Sequence, residues 1–256
     1  MDCGHQWHAE HQGPWHRAAV TLGSRQSTRL GSHLGTHLGG PWTPATEAEN
    51  LYLWLHADRG LTLNGATVSA WADLSGRDNH PLQATPSLQA ALSQLADGRQ
   101  AVSFDGVDDI MKAIGISGAP IGDHTIGVTA YVDTSVAHNH LLDWSSGRLV
   151  CAADANTDRI GHYDGAWREY AINTSGLQRI VWQLTTPTAT GYIDGAAIGT
   201  GPYTQKALGG SFAIGGDVLL GFGNAKVLVR EVFAISPAVT DLEKVFRYQS
   251  RDSISP

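Results

Sequence analysis

Tyr163, Asp164, Trp167 and Arg168 gather two aromatic rings, a carboxylate and a guanidinium within six residues, around the turn-forming pair Gly165-Ala166. Pyranose rings present apolar C–H faces that stack on Trp or Tyr, while Asp and Arg hold the hydroxyls, so this set at a turn suits glycan recognition. Asp143-Trp144-Ser145-Ser146 and Tyr203 offer further rings to such a face. The competing reading is packing. Aromatics are mostly buried on average, so Trp144 and Trp167, taken singly, read more readily as core residues.

Asp105, Asp108 and Asp109 form an acidic cluster within five residues. Ca²⁺ collects carboxylates and carbonyls from such loops. Against that, Asp105-Gly106 is a turn pair, an Asp beside it satisfies backbone amides, and no Asp-x-Asp-x-Asp ladder accompanies it. The cluster therefore reads first as a turn, with Ca²⁺ as the alternative, and no cofactor is required. His5, His8, His11 and His16 have spacings that could serve Zn²⁺ or Ni²⁺, but Gly13-Pro14 interrupts any helix there and no closed four-ligand set can be read. The two cysteines, Cys3 and Cys151, are too few and too distant for a disulfide framework, so both are expected as free thiols. Asn173-Thr174-Ser175 fits a glycosylation sequon that carries little meaning without a secretory signal.

The elements that position these residues are short strands. Leu51–Leu55, Val68–Ala72 and Ala101–Phe104 are apolar runs between turns. Ile126, Val128, Ala130 and Val132 alternate with Thr125, Gly127, Thr129 and Tyr131, the period of a half-buried strand. Ile180, Trp182 and Leu184 share a face, and Asp194-Gly195 between apolar residues predicts a type I′ hairpin. Val227 to Ile235 is almost continuously apolar, as for a strand covered on both faces. Thr240-Asp241-Leu242-Glu243 is a capping box, with Thr240 as N-cap, opening one short helix whose Leu242, Val245 and Phe246 share a stripe.

Residues 1–44 differ. They repeat a Leu-Gly-Ser/Thr-Arg/His unit, and such glycine density costs too much backbone entropy for regular structure. This predicts an irregular Gly/His-rich anchoring arm over 1–44 and a sandwich over 45–256. The formal net charge is −7, and the arm has three arginines against two acids, so the body is acidic. That disfavours nucleic acid and anionic membranes as partners. No run of 18 apolar residues is present, and Met1–His5 opens a polar segment without the apolar stretch of a secretory signal.

Six segments in order resemble the concanavalin A-like lectin/glucanase superfamily, in its laminin-G-like branch. Leu53–Asp58 is similar to that branch's opening LWLDA strand, and Trp71–His80 to its W-x-D-x-S-G-x-x-N-H turn. Phe104–Asp109 resembles F-D-G-V-D-D, Tyr192–Gly195 the Y-x-D-G hairpin, and Ile214–Gly216 the I-G-G strand end. Glu231–Phe233, leading into the capped helix, resembles the closing element. The resemblance covers Leu51 to Arg251 and implies a two-sheet antiparallel β-sandwich, a jelly roll, with one C-terminal helix and an extended N-terminal arm.

The superfamily includes glycosidases whose paired carboxylates sit on one strand as Glu-x-Asp-x-Glu. None of the six glutamates here has that spacing. The resemblance therefore implies a fold without catalysis, with Asp164 and Glu169 as the alternative carboxylate pair drawn from separate strands. The expected role is a structural virion protein of a phage or phage-like particle, a tail fibre or capsid decoration. Residues 1–44 would anchor it on other virion proteins, and its lectin-like face would attach to cell-surface polysaccharide. A virion leaves the cell by lysis, which reconciles an extracellular type of fold with the missing signal. Two alternatives stand beside it: a purely structural decoration without glycan, and a glycosidase with a non-standard carboxylate pair. A homo-oligomer is compatible with either setting.

Overall fold

The computed structural model describes residues 41–116, 122–135, 139–144, 147–152, 159–172, 175–205, 210–217 and 224–252. The four arm histidines, Cys3, Asn173-Thr174 and the side chains of Cys151 and Trp167 lie outside what it describes.

Besides two short 3₁₀ helices (Pro44–Glu47 and Pro86–Leu88), sixteen strands and one α-helix are formed by the described residues. They are β1 (Leu51–His56), β2 (Leu61–Asn64), β3 (Thr67–Trp71), β4 (Ala91–Gln94), β5 (Gln100–Asp105), β6 (Met111–Ile116), β7 (His124–Val132) and β8 (Asn139–Trp144). Then follow β9 (Gly147–Ala152), β10 (Arg159–Tyr163), β11 (Trp167–Ile172), β12 (Gly176–Thr185), β13 (Thr188–Ile193), β14 (Ala196–Pro202), β15 (Gly210–Ile214), β16 (Lys226–Ile235) and α1 (Leu242–Asp252). Ten strands form one antiparallel sheet in the order β14-β13-β12-β7-β16-β5-β4-β3-β2, with β1 on the same edge of β16 beyond β5. The other six form a second sheet, β11-β10-β9-β8-β15-β6. The fold is the expected two-sheet sandwich.

The main core lies between the sheets. Ile126, Val128, Ala130 and Val132 of β7 meet Leu142 of β8, Ile160 of β10 and Phe212 of β15 there. The alternation in β7 thus places one face as expected, but its other face is not left to solvent. Thr125 and Thr129 are fully buried, Val239 N–H donates to Thr125 Oγ1 at 2.8 Å, and the Phe233 ring lies over Gly127. A second apolar layer causes this. Trp42, Leu51, Trp54, Phe233, Ile235, Val239 and Val245 cover the outside of the large sheet, with Leu242 and Phe246 of α1 packed against them. Trp42, grouped with the arm by composition, packs edge-on against Phe233 and Tyr248. As its almost continuous apolar run predicts, β16 is buried on both faces: Val229 and Val232 join the main core, Phe233 and Ile235 the outer layer.

Local signals map closely onto local structure. Asp194 and Gly195 have φ of 51° and 84°, the positive pair a type I′ turn requires. The helix starts at Leu242, so Asp241 rather than Thr240 stands at the capping position, a shift of one residue. Asp73 ties the motif of Trp71–His80 together. Its Oδ1 accepts N–H groups of Trp54 and Ser75, both at 2.9 Å, and its Oδ2 accepts Ser75 Oγ–H at 2.7 Å and Asn79 N–H at 3.1 Å. One buried carboxylate thereby joins β1 to the loop after β3. Among the described residues, no helix is long and apolar enough to cross a membrane.

Candidate functional site

The β10–β11 hairpin carries the sequence-selected cluster. The ladder sets Tyr163 opposite Trp167 and His162 opposite Arg168, and the chain reverses through exposed Gly165 and Ala166. Asp164 is buried, and its carboxylate holds the turn: Oδ1 accepts Ala166 N–H at 3.3 Å and Oδ2 accepts Thr204 N–H at 2.7 Å. Arg168 is partly exposed, and its Nε forms an ion pair with Asp164 Oδ1 at 3.7 Å, beyond hydrogen-bond distance. Tyr163 is partly exposed beside them.

Two residues assigned to this face on sequence belong to the core instead. Trp144 is buried, with its ring 5.9 Å from Phe212, its ladder partner. Tyr203 is buried against His162, centroids 6.0 Å apart. Both sit where apolar area is removed from water, which is the commoner fate of a large ring. Asp164 and Glu169, the alternative carboxylate pair, are engaged elsewhere: Asp164 with the two backbone amides, and Glu169 with Arg159 at 3.6 Å.

Beneath the turn is an aromatic layer that the sequence did not disclose. His162 stacks on Tyr170 at 5.7 Å and meets Trp182 edge-on at 5.4 Å, while Tyr170 lies 5.0 Å from Trp182. His162 Nδ1 and Tyr170 Oη are 3.2 Å apart. Tyr170 fits because Gly199 and Gly201 leave room, since a Cβ on either would lie 2.6 or 2.8 Å from its atoms. These glycines are the one sequence signal that could have pointed to a bulky ring from the facing sheet. Burial pushes the His162 imidazole down to about 4, Asp164 opposing and Arg168 adding to the shift. Burial likewise pushes the Tyr170 hydroxyl up to about 12. Both are neutral near pH 7, so the layer beneath the turn is uncharged.

The acidic loop between β5 and β6 brings oxygens of Asp105, Asp108 and Asp109 within 4.8 Å of one another. Asp105 Oδ1 accepts Val107 N–H at 2.7 Å and Asp108 N–H at 3.3 Å, and Asp109 Oδ2 accepts Asp105 N–H at 3.0 Å. The carboxylates of Asp105 and Asp109 therefore serve the turn directly. Calcium takes six to eight oxygens, and the three here would be only part of such a set. Burial, then the charge of Asp105, raises the Asp109 carboxyl to about 6, with Asp108 adding to it.

No protein-family model and no curated protein sequence matches the chain. Solved structures do share its fold. Trypanosoma rangeli sialidase in complex with sialic acid matches at 17% identity and a TM-score of 0.57, over 85% of this chain and 35% of that one. The binding domain of botulinum neurotoxin DC in complex with SialylT matches at 10% identity and a TM-score of 0.52, over 79% and 52%. The same domain in complex with rat synaptotagmin II gives 10% and 0.53. The chain spans about a third of the sialidases' length and half of the toxin domain's. The chain thus shares a β-sandwich fold with parts of these proteins. These matches also overturn the expectation of a chain without catalysis, because the fold occurs within enzymes. The missing Glu-x-Asp-x-Glu spacing tested one mechanism only, and sialidases are among the glycosidases that use a tyrosine as nucleophile.

Proposed function

We propose that this chain is a laminin-G-like carbohydrate-binding domain that attaches to cell-surface polysaccharide through the β10–β11 hairpin. The observation that carries this reading is Arg168, partly exposed and ion-paired at 3.7 Å with the buried, amide-bonded carboxylate of Asp164, above an aromatic layer. A guanidinium preset at a surface presents its fork of donors to sugar oxygens at little entropic cost. Tyr163 lies beside it as the ring for a pyranose face. The setting we propose is a virion: a tail fibre or capsid decoration of a phage or phage-like particle, anchored on other virion proteins by residues 1–44. Their Gly-rich repeats suit a docked arm better than a folded unit.

The test is retention of the full chain on immobilised host-envelope polysaccharide, compared with Arg168→Ala. Binding by the parent and a loss of roughly tenfold or more in the variant supports the reading. Equal retention of the two proteins removes the hairpin from it. In the particle, deletion of residues 1–40, which spares Trp42, should abolish incorporation, and normal incorporation would remove the anchoring role.

A further inference from the structure

A cleft of about 200 Å³ opens between the β1–β2 turn, β4 and the start of β5, lined by Asp58, Arg59, Leu61, Leu63, Leu92 and Gln100. Its frame is fixed by backbone contacts. Ala57 N–H donates to Arg230 O at 2.8 Å, and Arg59 N–H donates to His56 O at 2.9 Å. Gly60, at φ +75°, sits so close to β3 that a Cβ would lie 2.7 Å from that of Ala72. Arg230, with its side chain only 4% exposed, donates to Asp58 Oδ1 at 3.1 Å, to Asp58 Oδ2 at 2.8 Å and to Gln100 O at 3.2 Å. A single buried guanidinium therefore holds two walls of the cleft in place.

The charges in the cleft specify a ligand. Arg230 matches the charge of Asp58, whose carboxylate is still 43% exposed at the cleft. Arg59 is exposed and its guanidinium has no partner among the described residues, so the cleft keeps one net positive charge to pair with an anion. Leu61 and Leu92 are partly covered and Leu63 is 47% exposed, which gives an apolar wall that a C–H face can cover. The volume lies below the ~300–1,000 Å³ of drug-sized pockets, enough for one sugar ring. We infer that this cleft binds a single carboxylate-bearing pyranose of the hexuronate class: the ring carboxylate on Arg59, hydroxyls on Asp58, and the C–H face on the leucines. The site stands on the ten-stranded sheet, apart from the β10–β11 hairpin of the six-stranded one, and does not depend on that reading.

The test is an amide chemical-shift titration of the full chain with D-glucuronate and with D-glucose, which differ at C6 alone. Glucuronate should shift amides of residues 57–63 with a dissociation constant on the order of 1 mM, and glucose should bind roughly tenfold more weakly or not at all. Arg59→Gln, a change at an exposed side chain, should erase the preference for glucuronate, while Arg168→Ala should leave it intact. Absence of glucuronate binding, equal binding of the two sugars, or unchanged binding in Arg59→Gln would overturn the assignment. Weakening by Arg168→Ala would move the binding to the hairpin and overturn it equally.

Discussion

Replacing Asp109 by Asn should stabilise the protein at neutral pH. Asp109 is 8% exposed, shares its loop with Asp105 and Asp108, and has its carboxyl raised from 3.8 to about 6. A raised acid is penalised in its ionised form. Above pH 6 the fold bears the whole penalty, between 6 and 3.8 the penalty shrinks, and below 3.8 both states are protonated and it vanishes. Two units correspond to an upper figure of about 3 kcal/mol. Asn is neutral and isosteric, and its oxygen can still accept Asp105 N–H. A gain of about 1–3 kcal/mol at pH 7.5 corresponds to a Tm increase of roughly 3–8 °C for a chain of this size. Thermal unfolding of both proteins in EDTA, at pH 7.5 and at pH 4, reads this directly. The increase should be present at the first pH and largely gone at the second. An Asn variant less stable at pH 7.5, or a gain independent of pH, would refute the electrostatic reasoning.

Three further outcomes follow from packing and burial. Gly127→Ala would press a Cβ to within 2.1–2.7 Å of three Phe233 ring atoms and should cost about 1–3 kcal/mol, seen as a lower denaturant midpoint at unchanged m-value. His162 takes a proton at about 4 when folded and near 6.5 when unfolded, so its contribution is intact above pH 6.5 and lost as pH falls to 4. Against His162→Phe, the parent should therefore lose about 3 kcal/mol across that window, and parallel pH profiles would contradict this. Asp73→Ala strands the buried N–H of Trp54 and that of Asn79 and should destabilise by about 2–4 kcal/mol, with faster hydrogen exchange at both amides.

Local periodicity and turn chemistry were legible in the sequence. Asp194-Gly195 needs only its own backbone angles, and the apolar run of β16 announces burial on both faces. The cover on the second face of β7 was not legible, because Phe233 and Val239 lie more than 100 positions along the chain from Gly127 and Thr125. The site divides in the same way. The Tyr163–Arg168 segment is contiguous and legible as a turn, whereas the layer beneath it needs Tyr170 to meet Trp182 and the gap left by Gly199 and Gly201. Asp58 and Arg230 are 172 positions apart, so their pairing left no local trace. Trp144 and Tyr203 failed as surface residues because residue type says nothing of which sheet face a ring takes.

The most direct test of the central reading is an amide chemical-shift map of the full chain with an oligosaccharide from the polysaccharide that retains it. Perturbations concentrated at Tyr163–Arg168 and Thr204, and absent in Arg168→Ala, are what glycan binding at the β10–β11 hairpin predicts. Saturable perturbations that leave those amides unmoved would contradict it.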